Sequence, residues 1–205
     1  RLGAGLPAQK VYHEADERYW LGVGRTRSDK YVIIAAGSAI TTEIRYADAA
    51  DPEAEFTVVL PRRDGVEYSV EHAVVAGEDR FLILHNDGAV NFTLVDAPVG
   101  DPTAFRTLIE HRDDVRLDGV DAFATHLVVS YRREALPRIQ LWPIDSDGGY
   151  GTPAEIEFES ELMSAGLGGN PNWSSPKLRV GAVSWVIPVR IYDLDLVTGE
   201  RTLLR

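Results

Sequence analysis

The sequence predicts an all-β fold built of propeller blades, and three observations lead there. Four strand-like segments recur in the same order four times, at a period of about 46–52 residues. Four strands in about 40–50 residues is the mark of a propeller blade. Val, Ile, Tyr, Phe and Thr fill these segments with polar/apolar alternation, and turn residues fill the gaps. Helical repeats of this length would instead show apolar stripes at i, i+3 and i+4 over about ten residues or more.

Within each unit the elements follow one another in a fixed order. A less regular stretch opens the unit, near Tyr19, Tyr68, Val115 and Ser164. An apolar burst introduced by a polar residue comes second, starting at Lys30, Arg80, His126 and Lys177, with spacings of 50, 46 and 51. An alternating stretch is third, starting at Thr42, Val90, Pro137 and Val189, with spacings of 48, 47 and 52. A shorter stretch closes each unit, at residues 55–60, 105–110, 154–159 and 200–205. Ser28-Asp29, residues 76–79, Asn86-Asp87-Gly88 and Thr198-Gly199 supply turns. Wet loops at residues 48–52, 97–102 and 145–149 separate the third and fourth elements. The competing architecture is a two-sheet sandwich with turns every 8–12 residues or so; the repeated four-beat order favours blades.

Residues 1–18 break the pattern. Val11-Tyr12 precedes Asp16 as Val59-Leu60 precedes Asp64 and Leu108-Ile109 precedes Asp113. The segment therefore reads as the outer strand and exit loop of a preceding blade, with residues 19–205 as about four blades of a larger ring of six to eight. The opening Arg1-Leu2-Gly3-Ala4-Gly5 has neither an initiator Met nor a signal-peptide pattern, and suggests a trimmed chain.

Composition narrows the function classes. Lys plus Arg total 21 against 32 Asp plus Glu, a formal charge of −11, which argues against nucleic-acid and anionic-membrane partners. The absence of cysteine excludes disulfides, thiolate zinc sites and Cys nucleophiles, and fits a cytoplasmic location. No apolar run approaches the roughly 20 residues that a membrane helix needs.

Catalytic constellations are scarce, and no catalytic, cofactor or metal residue is expected. Ser38 and Ser164 lack the Gly-x-Ser-x-Gly context that presents a nucleophile, and Ser38 reads as a turn residue. His13, His72, His85, His111 and His126 have no partner at metal-ligand spacing. Glu71-His72 falls on an inner strand, either lining a channel or packing between blades. Asp193 and Asp195 share a strand face and read as solvated acceptors, and residues 166–169 read as a Gly-rich turn without the Lys of a phosphate loop. Arg62-Arg63 and Arg132-Arg133 read as solvated or ion-paired, and Trp20, Trp142, Trp173 and Trp185 as blade packing.

Several segments, in order along almost the whole chain, carry a resemblance. Residues 11–34, 38–45 and 60–69 resemble the propeller of the oligopeptidase B branch of the prolyl oligopeptidase family of serine peptidases. So do residues 108–119 and 127–132, Asn170-Pro171, Leu178-Arg179 and residues 192–201. Val186-Ile187-Pro188 departs from the pattern, where the family usually has Thr before this Pro. The resemblance places the chain in the C-terminal part of the propeller domain. It implies a parent with a seven-bladed propeller over an α/β-hydrolase domain, cleaving oligopeptides after Arg or Lys. The propeller is then a gate, the oligopeptide and the hydrolase domain are its partners, and no triad position falls within this sequence. Two other readings stand beside it. A free-standing propeller serving as a protein-interaction module would need a closed ring. A propeller glycosidase or lactonase would need more inner-strand carboxylates than Glu67, Glu71 and Asp121 supply.

Overall fold

The computed structural model describes residues 10–145, 149–160 and 162–205. These described residues form sixteen strands in four antiparallel sheets of four, each sheet formed from consecutive strands. Blade I comprises β1 (Trp20–Arg25), β2 (Tyr31–Gly37), β3 (Thr42–Asp48) and β4 (Thr57–Val58). Blade II comprises β5 (Tyr68–Val75), β6 (Glu78–His85), β7 (Thr93–Pro98) and β8 (Arg106–Ile109). Blade III comprises β9 (Val115–Ala122), β10 (His126–Arg133), β11 (Leu136–Pro143) and β12 (Ala154–Glu155). Blade IV comprises β13 (Ser164–Leu167), β14 (Lys177–Val183), β15 (Arg190–Asp195) and β16 (Arg201–Leu203). The four elements read from each repeat are therefore the four strands of each blade.

The second strand is the central ladder of its blade and explains the apolar bursts. In β6, Phe81, Leu82 and Ile83 have no exposed surface and Leu84 is 5% exposed. Both faces are buried because a blade has a neighbour on each side. Phe81 and Ile83 join Tyr31, Ile44 and Val95 in the seam between blades I and II. Leu82 and Leu84 point the other way and join Val115, Leu127 and Val129 in the seam between blades II and III. Phe123, Val128, Ile139, Leu178 and Leu194 fill the seam between blades III and IV. The core thus lies between blades, as facing sheet surfaces require.

The turns follow from local chemistry. β5 and β6 are joined by Ala76-Gly77, both at positive φ (56° and 76°), as a two-residue hairpin of matching twist requires. Tyr68 ties two blades together: its hydroxyl donates to the Leu60 carbonyl at 2.7 Å and accepts from the Ile44 amide at 2.7 Å. The first strands lie toward the ring axis, with β5 against β9, and the short, largely exposed fourth strands form the rim.

Of the segment expected as the outer strand of a preceding blade, residues 1–9 lie outside the described residues. Residues 10–18 form no strand with the four blades and lie against blade I through side chains. Glu14 pairs with Arg62 at 2.5 Å, and the Arg45 guanidinium sits 4.8 Å above the Tyr12 ring.

Candidate functional site at one end of the ring axis

The first-to-second-strand turns of all four blades emerge at one end of the sheets, and there a guanidinium and two carboxylates from three blades come together. Arg27, in the turn after β1, donates to the Asp121 carboxylate on β9 and to the Asn170 carbonyl in the loop after β13. Its guanidinium also lies 4.5 Å over the Phe123 ring. Glu71 on β5 completes the group: it lines the same cleft as Arg25, Arg27 and Asp29, and its Oε2 is shielded from water without a hydrogen-bond partner.

The electrostatics follow from two carboxylates near one guanidinium, of which Asp121 is bonded to it and Glu71 feels only its charge. Burial, and then the Asp121 charge, push the Glu71 carboxyl up to about 7, against the pull of Arg27 and the Ala122 amide. Burial raises Asp121 too, opposed by Arg27. Folded Glu71 therefore holds a proton that the unfolded chain, with an ordinary value of 4.5, has released. Proton binding by the native state exceeds that of the unfolded state between these values, so this contribution to stability falls as pH rises through the window. His72 acts in the opposite sense: burial lowers its value, so acid favours the unfolded chain. Comparing wild type with Glu71→Gln isolates the first effect. The variant is expected to melt higher at about pH 8 and to lose the decline seen in wild type between about pH 5 and pH 7. Parallel melting-temperature profiles for the two proteins would refute this assignment.

Adjacent residues Glu71 and His72 face opposite ways. His72 is fully buried in the seam between blades I and II. Its Nδ1 lies 2.8 Å from the Ser28 hydroxyl and its Nε2 3.0 Å from Asp79, which also pairs with Lys30. The distances are those of a Ser-His-Asp relay, but a working triad has Ser on Nε2 and Asp on Nδ1. With no exposed surface on His72, and with Ser28 also bonded to Thr26 Oγ1 at 2.9 Å, this constellation fastens a seam.

The remaining sequence candidates resolve individually. Glu67 pairs with Asn86 at the opposite end of the sheet and does not join Glu71 and Asp121. The Ser38 hydroxyl accepts the Thr41 amide at 3.1 Å within the β2–β3 turn. Asp193 holds Arg179 at 2.8 Å, and Asp195 accepts the Val197 and Thr198 amides of the following turn. A Cβ at Gly168 would meet Arg179 Cγ at 2.8 Å, so close packing explains the glycine there. Arg62, Arg63, Arg132 and Arg133 all have carboxylate partners. No group of three or more metal-ligating side chains occurs among the described residues. Trp142 and Trp173 pack against the core between blades II and III. Trp20 and Trp185, expected in packing, are instead 73% and 104% exposed. Arg27 escaped sequence reasoning because its partners lie 94 and 143 residues away, and nothing near it in the chain marks it.

Consecutive four-stranded sheets packed face to face about an axis make this a β-propeller protein. Residues 1–205 match the family described as prolyl oligopeptidase, N-terminal beta-propeller domain, and the chain belongs to that family. It is 34% identical to dipeptidyl aminopeptidase BI of Pseudoxanthomonas mexicana, over 98% of this chain and 27% of that protein. It is 27% identical to protease 2 of Moraxella lacunata, over 100% of this chain and 28% of that protein. Oligopeptidase B from Trypanosoma brucei, closed form with covalently bound antipain, superposes with a TM-score of 0.88 at 30% identity, over 95% of this chain and 28% of that one. The chain thus spans little more than a quarter of the length of these relatives.

Proposed function

We propose that this chain is the substrate-gating portion of a cytoplasmic serine oligopeptidase that cleaves peptides after Arg or Lys. In this reading residues 1–18 supply the outer strand of a preceding blade, and residues 19–205 four blades of the propeller. An α/β-hydrolase domain carries the nucleophile, base and oxyanion hole, and this chain carries no catalytic residue. The observation that supports it most is the match of the whole chain to a peptidase propeller, with a TM-score of 0.88 to oligopeptidase B.

The physical contribution of such a propeller is exclusion. Blades packed through continuous apolar seams make a rigid wall. An extended peptide reaches the reacting bond past such a wall where a folded protein does not, and closure of the two domains removes water from that bond. The −11 charge favours the approach of basic peptides.

The test compares the isolated chain with the complete peptidase that contains it. The isolated chain is expected to leave an Arg-containing chromogenic peptide intact. The complete peptidase should cleave it, with kcat/KM at least about a hundredfold above that for a neutral residue at the same position, as a charge-paired pocket gives. The same substrate with a free and with a blocked amino end separates internal cleavage from the removal of dipeptides. Turnover by the isolated chain that a serine-directed inhibitor stops would overturn the reading, as would indifference of the complete peptidase to Arg, Lys and neutral residues.

A further inference from the structure

The turns between first and second strands differ in length. Blade II uses two residues, 76–77, blade III three, 123–125, blade I five, 26–30, and blade IV nine, 168–176. Six of the nine residues of this connection are exposed, yet its Asn170 and Trp173 are tied to the sheets. Its base is fixed to its own blade, where the Asn170 side chain accepts the Arg179 amide at 2.7 Å and donates to the Arg179 carbonyl at 2.9 Å. Beyond the base it touches each of the other three described blades. The Asn170 carbonyl takes Arg27 of blade I. The Trp173 ring stacks on His72 of blade II, with centroids 6.1 Å apart and planes at 25°. The Trp173 carbonyl accepts the Ala124 amide of blade III at 3.0 Å.

Two blades separate I from IV, and sheets arranged round an axis diverge outward. Atoms of blades I and IV can therefore meet only near the axis. Pro171 and Pro176 restrict the backbone of the crossing segment, so that less freedom is lost in holding it there.

We propose that residues 168–176 form a strap across the axial opening at this end of the ring, latched by Arg27, and that the strap closes this end to extended peptides. Arg27 is a positioning residue: its forked guanidinium spans the Asp121 carboxylate and the Asn170 carbonyl at once, which an ammonium on a flexible stem does poorly. The latch stands on the contacts alone. Its consequence for peptides rests on the gating reading.

Hydrogen exchange tests the latch in the 205-residue chain. Arg27→Ala is expected to speed exchange of residues 168–176 about tenfold, as loss of a charged hydrogen bond implies, with β6 and β10 unchanged. Arg27→Lys should fall between. Trp173→Ala should release the same segment from its other side. Unchanged exchange in both Ala variants overturns the proposal. So does faster exchange that rises equally in β6 and β10, because it would report loss of the blades and not release of a strap. In the complete peptidase, Arg27→Ala is expected to raise kcat/KM for a peptide of about thirty residues severalfold relative to one of about four. An unchanged ratio with a freed strap overturns the closure to peptides. If wild-type peptidase cleaves folded and unfolded substrates equally well, the gating reading fails while the exchange result still stands.

Discussion

Replacing Asp96 with Ala is expected to cost about 3–5 kcal/mol, as breaking a buried ion pair from one side does. The Asp96 side chain has no exposed surface and lies between two guanidinium groups, Arg80 Nε at 2.6 Å and Arg106 Nε at 2.9 Å. Arg106 is mostly exposed and would rehydrate. Arg80 is only 14% exposed, and its next carboxylate, Glu78, is 3.8 Å away. The cost therefore comes chiefly from the charge left buried on Arg80. Asp96→Asn, which keeps the shape and half the acceptors, should lose less. Urea denaturation followed by circular dichroism checks both, and a midpoint for Asp96→Ala within error of wild type would show that the cluster rehydrates freely.

Phe81→Ala should cost about as much, 3–5 kcal/mol, by a different route. Phe81 has no exposed surface and meets the edges of Tyr31 at 5.7 Å and Tyr46 at 4.9 Å. Truncation leaves a void between two sheets whose own ladders hold the walls apart, so collapse cannot fill it. Phe81→Leu keeps most of the volume and should cost no more than about 1.5 kcal/mol. Hydrogen exchange adds a local signature: β2 and β3 should lose protection before β10, because the void opens the seam between blades I and II. Uniform loss across all blades would contradict a seam-local effect.

The blades were legible because their two signals are short-ranged. Period-two alternation and Gly, Asn and Asp turns sit within a few residues of the structure they specify, and all four second strands begin within three residues of the bursts read from the sequence. The outer strands were overextended: residues 55–60 and 154–159 yield only Thr57–Val58 and Ala154–Glu155. An outer strand is paired on one side only, and nothing forces its ladder to continue. Glu71 and Asp121 could be placed on inner strands, but their meeting with Arg27 depends on how far apart the blades bring their turns, which no local pattern encodes. Trp20 and Trp185 show the same limit from the other side. A large aromatic is ordinarily buried, but these two belong to blades I and IV, each of which has a described neighbour on one side only.

The seams also set how the sequence can change over time. The two faces of β6 belong to different seams, so a change of volume at Phe81 is answered by Tyr31, fifty positions earlier, and a change at Leu82 by residues of β9 and β10 that follow it. Compensating substitutions are thus expected about one repeat apart and not among near neighbours. Each repeat then inherits constraints from the one before and passes them to the next. The four units diverge in sequence while their volumes stay in step, and a blade copied from one position to another would arrive fitted to the wrong neighbours.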